Sequence, residues 1–310
     1  MPACLKRWSR PQHDVAITAV EQRRPSDRMQ QMTGFPLIDV HQHVIPDFYR
    51  SALARVGILG SGENPWPQWS MARTLELMDE NGIVGVMISI ASPGVYFGDV
   101  EFTRGLTRAC NEALARMVGE RPTRFGAMGF VPLPDGAAAA REVDYALDVL
   151  KLDGINLLTH TGDRYLGHPE EDDLYAALDR RRAVVFVHPV RPMPPVDYPA
   201  GYTELVFDTT RAIANLLCTG TLAKYPNIRF IMSHMGGVTP SLLFRLSGSM
   251  TSRSCAHASR TALRLISGVY TTTSRRRPRR CRFVRCSRSR IPRAFCSAPT
   301  IRSRAMPRRS

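Results

Sequence analysis

The 310-residue chain has no acidic residue after Asp208 and no lysine after Lys224. Residues 249–310 hold 17 arginines with nothing to balance them. Residues 1–248 carry 25 Lys and Arg against 27 Asp and Glu, so the formal charge of +15 belongs to the tail. The charge is therefore no argument for a nucleic-acid-binding body. No apolar run approaches the roughly 18 residues of a membrane span, and residues 1–34 lack the apolar centre of a secretory signal. Cys4, Cys110 and Cys218 are scattered, while Cys255, Cys281, Cys286 and Cys296 crowd the tail at spacings that match no common zinc pattern. A reduced, cytoplasmic protein is the expectation.

These shifts divide the chain into a polar, irregular leader (1–34), an organised body (35–248) and an Arg/Ser-rich tail (249–310). The body has room for one α/β barrel. Apolar runs at 37–41, 84–90, 124–131, 154–158, 183–188 and 228–233 read as buried strands. Between them lie a Gly-, Pro- and Trp-bearing loop at 57–69 and helical segments at 70–81, 100–119, 136–150, 171–181 and 203–219. Ser70 is placed as an N-cap, Met71, Leu75 and Met78 share one helical face, and Gly82 is the stop. Alternating strands and helices argue a parallel sheet with crossover helices, and polar residues at the strand ends favour a (β/α)8 barrel over an open sheet. Two strands of such a barrel are missing, because the tail has neither period nor apolar content.

Histidines occupy the strand ends. His41 and His43, at i and i+2, project from one face of the first strand; His188 ends the fifth and His234 the sixth. Neutral imidazoles are good ligands for Zn2+, and a catalytic site needs about three of them plus an open position. One such residue alone would read as a hydrogen-bonded structural histidine; four on one rim point to a metal. His160 and His168 are placed either facing the pocket or, preferred, in surface or supporting roles, and His13 and His257 fall in unorganised segments.

Ile38-Asp39-Val40-His41-Gln42-His43, Asn64-Pro65-Trp66-Pro67-Gln68-Trp69-Ser70, Ala146-Leu147-Asp148-Val149-Leu150, Tyr165-Leu166-Gly167-His168-Pro169, Val187-His188-Pro189 and Ser233-His234-Met235-Gly236-Gly237 occur in that order. Over about residues 35–246 the chain thereby resembles the amidohydrolase-related decarboxylases. These include aminocarboxymuconate semialdehyde decarboxylase, and the 6-methylsalicylate decarboxylase-like members are the most similar in feel. The resemblance implies a metal-dependent, non-oxidative carboxy-lyase with a TIM-like barrel. His41, His43 and His188 would hold Zn2+ or another divalent metal, His234 would be the acid/base, and a homodimer is common in the family. The family's fourth ligand is an aspartate at the end of strand eight, in a motif resembling Phe-Gly-Ser/Thr-Asp-Tyr/Phe-Pro. That motif is missing here.

An Arg-, Ser- and Pro-rich stretch free of acids is what an out-of-frame reading of a G+C-rich gene gives. Each new codon can be built from the last base of one residue's codon and the first two of the next. Residues 291–304 then become compatible with SPRILFGTDYPFA, and 267–272 with RRLYYD, which resemble the family's eighth and seventh strands. The expectation is a frame change between about 247 and 267, leaving the 310-residue product short of two strands and one ligand, and so poorly soluble and impaired.

For the chemistry, the resemblance implies loss of CO2 from an aromatic or unsaturated carboxylic acid such as a hydroxybenzoate. Trp66 and Trp69 are candidates either for covering an aromatic ring or for anchoring their loop, and Arg191 for pairing with a carboxylate. Hydrolysis of a lactone or amide by the same metal site is the alternative enzyme class, since fold does not fix reaction. A non-catalytic product binding nucleic acid through the basic tail is the third reading, and the frame match weighs against it.

Overall fold

A computed structural model describes residues 37–61, 64–90, 92–191, 198, 201 and 203–249. The expected leader lies outside the described residues, as does the expected tail beyond Ser249. Six strands, β1 (Leu37–His43), β2 (Ile83–Ser89), β3 (Phe125–Gly129), β4 (Gly154–Leu158), β5 (Val184–His188) and β6 (Arg229–Met232), pair in parallel and in chain order. Helices α1 (Asp47–Arg55), α2 (Met71–Glu80), α3 (Val100–Glu120), α4 (Gly136–Asp144), α5 (Asp172–Arg180), α6 (Glu204–Cys218) and α7 (Thr221–Lys224) alternate with them, and α8 (Thr239–Ser249) follows β6. Every crossover is long enough to carry a helix, which parallel pairing requires.

The sheet is strongly curled. Laid flat, six strands would set β1 and β6 about 24 Å apart at the usual ~4.8 Å spacing. Yet the rings of His41 on β1 and His234 just after β6 are 5.2 Å apart. The architecture is a TIM-like half-barrel whose first and last strands do not pair with each other among the described residues.

Two apolar layers hold the curl. The concave face buries a small set, Val40, Met87, Met128, Val184 and Phe186, with Ile38 and Ile231 packed on it. The convex face carries the larger core, where Ile88, Phe125, Ile155 and Val187 meet Leu53, Met78, Leu114, Leu178 and Leu216 of the helices. Burial on both faces explains why the strands read as continuous apolar runs.

Local signals in the sequence operate as expected at several points. Ser70 caps α2 by accepting from Arg73 N at 3.2 Å, Met78 is buried, and Gly82 takes φ 64° after the helix. Asp99 and Asp135 cap α3 and α4 in the same way. Differences also occur. The segment after β1 forms α1, a helix the sequence reading did not place, because Pro46 offers no side-chain cap to mark its start. The predicted loop at 57–69 contains a two-residue antiparallel ribbon, Gly60–Ser61 with Asn64–Pro65. The helix expected over 136–150 is α-helical only to Asp144 and continues as a π turn, Tyr145–Val149. The helix expected from 171 is preceded by a 3-10 turn, Pro169–Glu171, whose N-cap His168 accepts from Glu170 N.

The rim is tied to its helices by buried polar links. Asn111 of α3, fully buried, donates through Nδ2 to Phe130 O (2.9 Å) and to Glu142 Oε1 (2.8 Å), and accepts from Phe130 N (2.7 Å). Arg108, one turn earlier, grips Glu142 with two guanidinium nitrogens at 2.7 to 3.2 Å and lies over the Tyr145 ring. Replacing Asn111 strands two backbone groups at the end of β3. Asn111→Ala is therefore expected to cost about 3 kcal/mol, read as a fall in the denaturant midpoint, whereas Arg104→Ala, at an exposed ion-pair partner, should leave that midpoint nearly unchanged.

Candidate metal centre

His41 and His43 would face away from the concave layer if β1 alternated regularly, since Ile38 and Val40 already occupy that face. The pairing register of β1 on β2 slips between Asp39 and Gln42, and Asp39 Oδ1 accepts from His41 N at 2.9 Å. Such a bulge moves the alternation by one residue. Both imidazoles are thereby turned onto the inner side, where His41 meets the Phe186 ring at 5.1 Å.

The four predicted histidines converge. His41 Nε2 and His43 Nε2 are 3.0 Å apart, and His43 Nε2 and His188 Nε2 3.1 Å. His41, His188 and His234 each offer a ring nitrogen, all within 4.8 Å of one another. His188 ends β5 as expected; His234 lies two residues beyond β6, in a tight turn rather than on the strand.

The donor chemistry fits a cation. His188 Nδ1 is 2.8 Å from Pro189 O, which assigns the ring proton to Nδ1 and leaves Nε2 as a lone pair. His43 Nδ1 faces Ser89 Oγ at 3.4 Å. His43 Nε2 lies 3.1 Å from His188 Nε2, a spacing bridged either by a proton on His43 or by a cation. Nitrogens bound to one tetrahedral metal at ~2.0–2.1 Å are about 3.3 Å apart, close to the spacing found. Burial keeps these rings neutral. It pushes His188 down to about 2, reinforced by His43 and His41, and His43 down to about 4, reinforced by His41 and His234. His41 and His234 are lowered for the same first reason.

A cavity of about 440 Å3, within the usual range for small-molecule sites, opens near the ends of β4 and β5, and none of the four histidines lines it. Its walls include Leu158, which pairs with His188 across the sheet, and Val190 and Arg191, which follow His188 in the chain. Trp66 lines it too, with Nε1 donating to Ile58 O at 3.4 Å. Trp69 does not line the cavity and, like Trp66, packs against the convex core.

His160, weighed from the sequence as facing the pocket or holding a surface or supporting role, is buried, lines the cavity, and directs Nδ1 to Gly162 O at 2.9 Å. One residue was not recognised from the sequence. Asp208, the last carboxylate of the chain, is fully buried on α6. It accepts from Thr159 Oγ1, from Tyr165 Oη (2.6 Å) and from Val190 N (3.1 Å), fastening the exits of β4 and β5 to one helix. Burial first, then Asp208, pushes the Tyr165 hydroxyl up to about 12. The available signal was an acidic residue inside the apolar run Leu205-Val206-Phe207-Asp208.

The amidohydrolase family profile matches residues 38–283, reaching past the predicted body and into the tail. The chain belongs to the amidohydrolase family. A 6-methylsalicylic acid decarboxylase from Penicillium expansum is 36% identical over 225 residues, covering 67% of this chain and 66% of its own length. A decarboxylase from Aspergillus niger is likewise 36% identical, with 60% of its length covered. The chain thus spans slightly less than two thirds of these relatives. Among solved structures, an amidohydrolase II aligns with TM-score 0.67 at 29% identity, covering 73% of each chain. A 5-carboxyvanillate decarboxylase from Novosphingobium aromaticivorans, solved with manganese and 4-hydroxy-3-methoxy-5-nitrobenzoic acid, aligns with TM-score 0.65 at 20% identity, covering 76% of this chain and 83% of that one.

Histidines whose pKa is lower folded than unfolded leave the unfolded chain holding more protons below about 6.5. Their contribution to stability is present above that pH and is lost as pH falls through the folded values. The metal-free protein should show a thermal midpoint that drops from pH 6.5 toward pH 4. In His43→Asn/His188→Asn that drop should be shallower than in the parent, and equal slopes would contradict the assignment.

Proposed function

We propose that this fold serves metal-dependent, non-oxidative decarboxylation of an aromatic or unsaturated carboxylic acid of the hydroxybenzoate type. The observation that carries the reading is the gathering of His41, His43, His188 and His234 on the half-barrel's inner rim, with a cavity walled by Trp66 and Arg191 reached through Leu158, the sheet partner of His188. Relatives at 36% identity are named for decarboxylation, which supports the same class of reaction.

His41, His43 and His188 are the proposed holders of a divalent ion, zinc or manganese. Bound there, it supplies Lewis acidity toward the substrate carboxylate or a neighbouring hydroxyl. Trp66 presents its indole to the substrate ring, and the Arg191 guanidinium offers a fork to the carboxylate. Trp69 keeps its loop against the core, so Trp66 is held at the cavity. As the bond from ring carbon to carboxylate breaks and CO2 leaves, a proton must take its place. His234 is the most open of the four rings and can take that proton from solvent and pass it to carbon. Its lowered pKa makes it an intermittent proton carrier near pH 7 rather than a standing acid.

We further propose the division into leader 1–34, body 35–248 and tail 249–310, with the tail following a shifted reading frame. Activity of the 310-residue product is then low for want of the strand-eight aspartate. A small-molecule acid is the proposed partner, nucleic acid is not, and a cytoplasmic homodimer is the proposed state. No described helix is long and apolar enough to cross a membrane.

Offered 6-methylsalicylate or 2,6-dihydroxybenzoate with zinc or manganese, the 310-residue chain should release CO2 at least about 100-fold more slowly than a version whose tail is read in the neighbouring frame, the upper range for a disturbed metal shell. Lactone cleavage without CO2 release in both proteins would replace this reading with hydrolysis. Coding DNA that runs in one frame through codons 247–267 of a fully active enzyme would remove the frame proposal.

A further inference from the structure

The cavity at the ends of β4 and β5 has Trp66 and Phe130 among its apolar walls, and two buried polar side chains, Asn156 and His160, interrupt that lining. Asn156 stands opposite Phe186 in the sheet, on the concave side, and the Phe186 ring meets that of His41 at 5.1 Å. It thus belongs both to the cavity and to the inner face that carries the histidine cluster.

Each of the two side chains has one polar atom committed and one without a partner. Asn156 Nδ2 donates to Ile90 O at 2.7 Å; a carbonyl only accepts, so the amide nitrogen lies on that side and Oδ1 on the other. His160 Nδ1 is 2.9 Å from Gly162 O, which by the same argument places a proton on Nδ1 and leaves Nε2 of the neutral ring as a lone pair. Asn156 Oδ1 and His160 Nε2 are buried and have no hydrogen-bond partner among the described residues. Asp208 Oδ1 stands 3.8 Å from His160 Nε2, beyond hydrogen-bond reach, and already accepts from Tyr165 Oη. Buried acceptors left unmatched are costly, and each calls for a donor that the fold itself does not supply.

We propose that Asn156 and His160 determine specificity: Asn156 Oδ1 and His160 Nε2 each accept from a free hydroxyl of an arene whose ring lies against Trp66. A ring that carries a methyl, an ether or a halogen in place of either hydroxyl leaves a buried acceptor bare, and discrimination of that kind is stronger than discrimination by size alone. The inference deepens the decarboxylation reading by naming what the ring must carry, and rests on that reading only for the carboxylate.

The test measures dissociation constants by NMR titration of the full 310-residue chain, with a chelator present so that metal plays no part. The probes are resorcinol, 3-fluorophenol and 1,3-difluorobenzene, in which hydroxyls give way to a compact atom that cannot donate, so steric exclusion is not a competing cause. In the parent, affinity should fall at least about tenfold from resorcinol to 1,3-difluorobenzene, with 3-fluorophenol between them. His160→Phe, which keeps an aromatic ring, and Asn156→Leu, close in volume, should each weaken resorcinol while holding 1,3-difluorobenzene as the parent does. Equal affinity of the parent for resorcinol and 1,3-difluorobenzene would overturn the proposal, and that comparison needs no variant to fold. A preference for resorcinol that is unchanged in both variants would overturn the assignment to these two atoms. Zinc content measured on the same parent without chelator keeps the two levels apart: a chain that prefers resorcinol but holds no zinc upholds this inference and contradicts the metal-dependent reading.

Discussion

Curling six parallel strands until the outermost two nearly meet is what brings His41 and His234 within 5.2 Å, and everything chemical in the molecule depends on it. Right-handed twist supplies the tendency, and side-chain volume sets the extent. The concave face is lined by a few residues, among them Met87, Met128 and Phe186, large enough to fill a narrow interior. Asp208 then locks the rim. By accepting from Thr159, Tyr165 and Val190 it ties the loop after β4 to the loop after β5, the strand end that bears His188.

The histidine cluster is a set of neutral nitrogen donors. His43 Nε2 lies 3.0 Å from His41 Nε2 and 3.1 Å from His188 Nε2, in surroundings that hold His188 near 2 and His43 near 4, so the rings stay uncharged at neutral pH. Local structure enforces the arrangement from three directions. A bulge in β1 re-aims His41 and His43, the Pro189 carbonyl orients His188, and a left-handed turn pinned to α6 presents His234. Independent devices converging on one point are the mark of a site rather than of packing.

Much of this was legible in the sequence, and the exceptions have physical causes. Buried parallel strands announce themselves as unbroken apolar runs, and a cap such as Ser70 is a local hydrogen bond, so both could be read residue by residue. Helix α1 starts at a proline without a capping side chain, and its signal was lost in the loop that follows. The four histidines could be assigned to one rim from strand ends alone. The bulge that turns two of them inward is a property of pairing between strands, invisible in β1 by itself. Asp208 acts through partners 18 to 49 residues away, and such distances leave no pattern in the chain.

The central claim is that this chain binds one divalent ion through imidazoles brought together by the curl. Metal content by mass spectrometry, after equilibration with Zn2+ and removal of the excess, tests it most directly. The account predicts close to one zinc per 310-residue chain in the parent and essentially none in His41→Ala/His188→Ala. Equal content in the two proteins, or none in a folded parent, would contradict it.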